Sequence, residues 1–375
     1  MNLLLITRNF PPLLGGMERL NRHLAEEMAE YGRVWVVAPR GSAAYRPEGV
    51  EVIEVPGDAP GSFLLGAWGR GLAATRRFHP EVVLAGSGLT APLVWTAARV
   101  VGARAAVYLH GLDVVTPHPL YRLLWRPFLR RMDRVIANSG PTADKARNIG
   151  ISPARVAVVP PGVTLPAFCS ETQRQQAREG FRSRHNLGDG PLLLSVGRLT
   201  TRKGLLEFVR DALPQVVVQV PEVQLAIVGG LPHKALAARA QTPEQISEAA
   251  RKSGVADRVF FLGEITDQEL STAYLAADVH VFPVREIPGD PEGFGMVAVE
   301  AAAYGLPTVA YASGGVVDAV ADGVSGRLVP SGDASGFAAA VLEMLRQSPA
   351  RQGMVAYAER FGWEAFGKRL LDALQ

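Results

Sequence analysis

The sequence predicts two α/β domains in tandem, each built on a doubly wound parallel sheet. Three observations carry that expectation. Short apolar runs recur along the chain with helix-length segments between them, as buried parallel strands and their crossovers require. The series stops near residue 160 and restarts near residue 190. At 375 residues the chain exceeds what one hydrophobic core normally holds. The expected organisation is residues 1–165, residues 166–350 and a helical tail 351–375.

In the first half, Leu3–Ile6 is a strand, because an unbroken apolar run suits a strand covered on both faces. Leu20, Leu24 and Met28 then recur at helical spacing, and Gly32 closes that helix. Val34–Ala38, Val50–Val55, Val82–Ala85, Ala105–Leu109, Val135–Asn138 and Val156–Val159 are the further strands, with helices over Phe63–Phe78 and Thr90–Val101. Tyr121–Arg134 interleaves Leu123, Leu124, Trp125, Phe128, Leu129 and Met132 with Arg122, Arg126, Arg130, Arg131 and Arg134. Such a basic amphipathic stretch suits an anionic membrane surface, and more commonly a helix packed on the core with a solvated basic face. Pro127 limits its continuity.

Pro160-Pro161-Gly162 and Pro166 interrupt this series, and Ser170–Asn186 is polar and charged without apolar periodicity, which places the domain junction there. The second series has strands at Leu192–Val196, Val223–Val228, Val259–Leu262, Val279–Phe282, Thr308–Ala310 and Arg327–Val329. Thr242-Pro243-Glu244 and Asp267-Gln268-Glu269 announce helix starts, the first with Thr as cap and Pro in the first turn. Ala334–Leu374 reads as helical throughout, with a break at Gly362.

Composition narrows the class. With 48% hydrophobic and 20% charged residues, the chain is an ordinary globular protein and not a disordered or fibrous one. Cys169 is the single cysteine, which excludes an intrachain disulfide framework and a cysteine metal cluster and fits a reducing compartment. The chain enters a strand-like run at once and has no long apolar run, so neither a signal peptide nor a membrane span is expected. The net charge of +3 is unevenly placed: residues 1–165 hold 19 Lys+Arg against 12 Asp+Glu, and the remainder 20 against 24. The basic half carries no recognition module, so nucleic acid is not an expected partner.

In open parallel sheets, ligands bind beyond the carboxyl ends of the strands, so the loops after strands hold the candidates. The richest is Glu292-Gly293-Phe294-Gly295-Met296 leading to Glu300. Its glycines let backbone amides approach a ligand, and a helix starting near Met296 turns its positive end towards an anion. Glu292 and Glu300 suit hydroxyl groups of a ribose or hexose rather than phosphate.

After Leu192–Val196 come Gly197-Arg198 and Lys203-Gly204, and this arginine and lysine can neutralise a diphosphate. Arg202 is expected to be the solvated member of that loop. Gly15-Gly16 follows the first strand and can cradle phosphate, but it is not the Gly-x-Gly-x-x-Gly of a dinucleotide site. His110 and Asp113 follow Leu109 with a glycine between them, placed to reach one sugar ring. No two aspartates stand two apart, so the acidic pair that often holds a divalent ion on a nucleotide diphosphate is missing. No metal site is expected.

Together these residues resemble the retaining glycosyltransferases of family 4, which have the GT-B fold, and in particular bacterial mannosyltransferase-like members. The resemblance covers essentially the whole chain. It rests on Gly15-Gly16, His110-Gly111-Leu112-Asp113, Pro160-Pro161-Gly162-Val163, Gly197-Arg198 with Lys203-Gly204, and Glu292-Gly293-Phe294-Gly295 with Glu300.

It implies two Rossmann-like domains facing a cleft, the second binding a nucleotide-diphosphate sugar and the first an acceptor. It also implies a last helix that crosses back to the first domain. Position by position, Arg198 and Lys203 would hold the diphosphate and Glu300 the ribose. Glu292 would hold the donor sugar, with the backbone of Phe294, Gly295 and Met296 serving sugar and phosphate. Gly16, beside Gly15, would complete the diphosphate site, His110 would lie near the anomeric carbon, and the base would stack near Gly263 and Glu264.

The chemistry implied is metal-free transfer of a hexose with retention, the donor being GDP-mannose-like or a UDP-sugar and the acceptor a glycan or lipid-linked hydroxyl. The loop Val284–Pro291 before Glu292 is similar to that of mannosyltransferases using GDP-mannose. No cofactor besides the donor is expected. The location implied is cytoplasmic, with peripheral attachment to the inner face of the cytoplasmic membrane through the basic half left open. The rival readings are a GT-B phosphorylase or nucleotide-sugar epimerase, and a non-catalytic nucleotide-sugar-binding protein.

Overall fold

A computed structural model describes residues 1–57, 59–167, 169–231 and 239–375. The chain divides into two compact units, Met1–Gly162 with Gly362–Gln375, and Val163–Phe361.

The first unit holds a seven-stranded parallel sheet among its described residues. Its strands are β1 Leu3–Ile6, β2 Val34–Pro39, β3 Val50–Val55, β4 Val82–Ala85, β5 Arg104–Leu109, β6 Arg134–Ala137 and β7 Val156–Val158. They lie in the order β3-β2-β1-β4-β5-β6-β7. Alternation along β1 divides the core: Leu4 and Ile6 enter the cluster on one face, Leu3 and Leu5 that on the other. Phe366, Leu370 and Leu374 of the last helix, Trp363–Leu374, complete the second cluster beside the helix Gly16–Ala29.

The second unit holds a six-stranded parallel sheet in the order β10-β9-β8-β11-β12-β13. These strands are β8 Leu192–Val196, β9 Gln224–Val228, β10 Val259–Gly263, β11 Val279–Phe282, β12 Thr308–Tyr311 and β13 Gly326–Val329. All the strands read from the sequence are present, because near-continuous Val/Leu/Ile runs have few alternatives to a doubly covered strand. Thr242 caps its helix as expected and closes a capping box with Gln245.

Each sheet winds one way and then reverses, between β1 and β4 in the first unit and between β8 and β11 in the second. Strand order reverses there, so the following loops splay to opposite faces and leave a crevice. Gly15-Gly16 follows β1, Arg198 and Lys203 follow β8, and Glu292 follows β11.

Four expectations are corrected. Ser170–Asn186, read as part of the junction, contains the helix Glu171–Arg184, started by a Ser170–Gln173 capping box. That helix has no apolar stripe because its inner face uses Phe181 with Arg178 and Arg182, whose guanidiniums go to Asp278 and to main-chain carbonyls. The units part at residue 162, within the interruption at residues 160–166 and ahead of the expected boundary at 165. The tail 351–375 is divided: Arg351–Glu359 packs through Met354 and Ala358 on the helix Met296–Ala303 of the second unit, and only Trp363–Leu374 joins the first.

Ala334–Leu374 has a further break between Ala334–Arg346 and Arg351–Glu359. Tyr121–Arg134 is two short helices, Pro119–Leu124 and Arg126–Arg131, since Pro127 belongs at a helix start and not in its interior.

Candidate functional site

In the second unit the site is built from the ends of β8 and β11. Gly197 leaves β8 with φ 145, a conformation that favours glycine, and Lys203 Cε folds back to ordinary contact, 3.5 Å from where a Cβ there would lie. Lys203 Nζ donates to Glu292 Oε2 at 2.9 Å and stands 4.5 Å from the centroid of the Phe282 ring. Arg202 reaches the same oxygen through Nε at 3.1 Å and Asp290 Oδ1 through Nη1 at 2.6 Å.

Arg202 is therefore not the solvated residue expected: its side chain is 17% exposed, and it ties the loop before Glu292 to the loop after β8. The Arg285 N–H donates to the Arg202 carbonyl at 2.8 Å and fastens the same loop from its other end. Arg198 is the member that extends into solvent.

Burial acts against charge throughout this cluster. It pushes the Glu292 carboxyl up, but Lys203 and Arg202 more than reverse that and bring it down to about 2. Burial pushes Lys203 below its ordinary value, partly offset by Glu292, whereas Glu292 and Asp290 together hold Arg202 above its own. Glu292 is thus an anion at any physiological pH, which excludes it as a proton donor.

The glycine turn that follows is tightly packed. Gly295 precedes the helix Met296–Ala303 with φ 99, and a Cβ on it would come within 2.8 Å of the Phe282 ring. The loop after β12 braces the turn from behind: the Gly315 N–H donates to the Glu292 carbonyl at 2.9 Å, and any Cβ on Gly315 would strike the Gly293 carbonyl. Phe294 turns its side chain into the core against Phe361, which leaves its main chain for a ligand. Glu300 is buried one turn beyond Met296, and its Oε2 accepts from the Tyr274 hydroxyl at 3.1 Å.

Three neighbouring strands end in glycine: Gly197 after β8, Gly229 after β9 and Gly263 in β10. The Gly197 N–H bonds the Val228 carbonyl at 2.9 Å and the Gly229 N–H the Gly263 carbonyl at 2.8 Å, giving a rim free of side chains. Glu264 stands exposed at its end, one carboxylate oxygen 2.6 Å from where a Cβ of Gly230 would be.

The first unit carries a separate cluster at its own strand ends. Gly15 precedes the helix Gly16–Ala29 with no side-chain cap, and a Cβ on Gly15 would collide with the Glu18 carboxylate. Glu18 is fixed by the Asn9 amide at 2.8 Å, and the Asn21 amide bonds Thr7 Oγ1 at 3.1 Å and the Asn9 carbonyl at 2.9 Å. His110 Nε2 lies 2.9 Å from the Gly86 carbonyl, which can only accept, so Nε2 carries the proton. Asp113 accepts from the His110 N–H at 2.9 Å. This carboxylate closes the turn through one of its oxygens. The Tyr121 hydroxyl is buried beside Gly88 without a hydrogen-bond partner among the described residues, and burial together with Asp113 pushes its pKa up.

The expected residues thus fall into two groups. Arg198, Lys203, Gly263, Glu264, Glu292, Phe294, Gly295, Met296 and Glu300 share the second unit, and Gly15, Gly16 and His110 share the first. Arg202, Tyr274 and the Ser313–Gly314–Gly315 loop were missed. A glycine pair directly after an apolar strand was a usable signal for the last, whereas Tyr274 sits mid-helix with nothing local to mark it.

Two parallel sheets with glycine-rich loops at their switch points, and in the second unit a cation pair facing a buried acid, are the features expected of the GT-B class. The signature of the glycosyl transferases group 1 matches residues 177–361, and that of Glycosyltransferase Family 4 matches residues 14–165. A GDP-mannose-dependent alpha-(1-6)-phosphatidylinositol monomannoside mannosyltransferase of Mycolicibacterium smegmatis is 30% identical, with 99% of this chain and 98% of that protein aligned. A D-inositol 3-phosphate glycosyltransferase of Mycobacterium marinum is 34% identical over 73% of this chain and 56% of its own length. In fold, the Anabaena protein Alr3699/HepE solved in complex with UDP is similar, with a TM-score of 0.80 at 20% identity and 100% and 99% of the two chains covered. The chain belongs to glycosyltransferase family 4, and it is a glycosyltransferase.

Proposed function

We propose that this enzyme moves a hexose from a nucleotide-diphosphate sugar, mannose from GDP-mannose before a UDP-sugar, to a hydroxyl of a glycolipid or lipid-linked glycan. Transfer proceeds with retention of anomeric configuration and without a bound metal. The observation that carries the reading is the Lys203–Glu292–Arg202 cluster fixed at the switch point of the second sheet. The name of the 30% identical mannosyltransferase supports mannose as the sugar and an inositol phospholipid as the kind of acceptor.

In this reading Arg198 and Lys203 meet the diphosphate, and the amides at the start of Met296–Ala303 add a second, uncharged set of donors. The bond between the anomeric carbon and the β-phosphate oxygen breaks, and the acceptor oxygen bonds to that carbon on the same face. The acceptor proton passes to the departing diphosphate. Glu292, ionised and held by two cations, accepts hydrogen bonds from sugar hydroxyls and never needs to carry the proton. Glu300 takes the ribose hydroxyls, and the glycine rim with Gly263 and Glu264 receives the base. In the first unit His110, with its Nε2 proton engaged by Gly86, keeps Nδ1 as an acceptor.

No helix among the described residues is long and apolar enough to cross a membrane. The acceptor would be met at a lipid surface through Pro119–Leu124, where Leu120, Leu123 and Leu124 are 59%, 69% and 50% exposed beside Arg122. Arg126 and Arg131 are engaged elsewhere, on the Val114 carbonyl and the Trp95 ring.

The test is transfer from labelled GDP-mannose and UDP-glucose to phosphatidylinositol-based acceptors, with the product linkage read by NMR. Glu292→Ala should abolish transfer with the fold intact, and EDTA should leave it unchanged. An active Glu292→Ala, loss of activity with EDTA, or an inverted product refutes the corresponding part.

A further inference from the structure

The two acids of the donor site are held in different ways. Glu292 has cations; Glu300 is buried on the helix Met296–Ala303 and accepts from a tyrosine of the neighbouring helix Asp267–Ala276. A glutamate side chain has several rotamers, so aiming its carboxylate at a ligand costs conformational entropy unless something else fixes it.

Tyr274 is well made for that. It is fully buried, its ring stacks on Tyr304 with centroids 5.3 Å apart, and it meets His280 edge-on at 6.4 Å. Each of these neighbours is anchored in turn: the Tyr304 hydroxyl donates to Ser271 Oγ at 2.7 Å, and His280 Nδ1 lies 3.0 Å from Thr308 Oγ1. Burial lowers the His280 pKa to about 3, so this backing is uncharged and offers Glu300 no competing cation. The tyrosine ring is thus clamped between two anchored partners, and its hydroxyl has a fixed position.

We propose that Tyr274 is a positioning residue, whose hydroxyl holds one carboxylate oxygen of Glu300 so that this acid presents its hydrogen-bonding face to the ribose hydroxyls of the donor nucleotide. The inference rests on the reading of Glu300 given above and goes beyond it by naming what sets the selectivity for ribose. It follows the general pattern in which a ligand-contacting group is oriented by a buried partner that never touches the ligand.

The experiment is calorimetric binding of GDP and 2′,3′-dideoxy-GDP to the full chain, with UDP and its dideoxy form in parallel; the base that binds wild type more tightly is scored. Wild type should prefer the ribonucleotide by about tenfold or more, the scale of a hydrogen bond to a charged group. Tyr274→Phe should shrink that preference to about threefold or less by weakening the ribonucleotide alone. Unchanged affinity for the dideoxy form is the control for folding. Tyr357→Phe, which removes a hydroxyl bonded to the Asp318 carbonyl, should keep the full preference.

Equal weakening of both nucleotides by Tyr274→Phe, an intact preference in that variant, or an equal loss in Tyr357→Phe overturns the positioning role. Glu300→Gln should abolish the preference. If Glu300→Gln keeps it, the ribose reading of Glu300 falls and the positioning role falls with it, whereas a loss in Glu300→Gln without one in Tyr274→Phe removes Tyr274 alone.

Discussion

The sharpest consequence of the buried cluster concerns acid. Glu292 titrates at about 2 in the folded protein against 4.5 for an ordinary glutamate, because Lys203 and Arg202 outweigh the cost of burial. A carboxyl whose pKa falls on folding contributes stability that is complete above its unfolded value and is lost as pH falls towards its folded one. The drop corresponds to about 3 kcal/mol at neutral pH, of which about half is gone by roughly pH 3. The side chain is only 11% exposed, so solvent does little to screen it.

Glu292→Gln cannot titrate, and it leaves two cations facing a neutral amide. It should therefore be less stable than wild type by about 3 kcal/mol near pH 7, and by about 1.5 kcal/mol near pH 3. Urea unfolding can read this in the second unit. All five tryptophans, Trp35, Trp68, Trp95, Trp125 and Trp363, belong to the first unit, so a circular dichroism change without a fluorescence change belongs to the second. A gap between variant and wild type that stays constant with pH, or that is near zero at pH 7, refutes the assignment.

Three further outcomes are expected. Arg202→Met removes the cation that joins Asp290 to Glu292 while leaving Lys203 in place; donor affinity measured by calorimetry should fall by about tenfold, with faster proteolysis of residues 284–291. Unchanged affinity would mean the clamp is incidental. Gly315→Val places a side chain against the Gly293 carbonyl and must displace the turn, so nucleotide binding should be lost, whereas Gly180→Ala, with nothing within 4 Å, should bind normally. Changing Leu120, Leu123 and Leu124 together to Ser should reduce co-sedimentation with anionic vesicles and leave turnover of a water-soluble acceptor intact; undiminished vesicle binding would remove Pro119–Leu124 from the membrane contact.

The fold was legible because parallel strands announce themselves. A run such as Leu3-Leu4-Leu5-Ile6 has one stable use, and thirteen such runs at helix-length spacing leave few topologies for the described residues. The segment Glu171–Arg184 shows the limit of that signal. Its buried face is made by Phe181 and two arginines that bond Asp278, and periodicity read in apolar residues is blind to an inner face made of guanidiniums. The tail was misdivided for a related reason. Arg351–Glu359 and Trp363–Leu374 are both amphipathic, and amphipathicity says that a face is buried without saying against which unit.

The candidate site was legible where chemistry is bound to chain position, and not where it depends on partners distant in sequence. Glycines and charged residues in the loops after strands follow from topology, so the places of Gly15, Gly16, Lys203 and Glu292 in the fold could be read directly. Arg202 could not, because its neighbour Lys203 has the same charge and the same loop. Only the fold decides that Arg202 meets Asp290 while Arg198 faces water.

That division has a chemical consequence. If Lys203 meets the diphosphate as proposed, Arg202 would stay on the same Glu292 oxygen, so the lysine could leave without stranding a buried carboxylate, the situation that makes breaking a buried ion pair costly. On that proposal an arginine that reads as solvent decoration in the sequence would be, in the folded protein, what lets the adjacent lysine change partners.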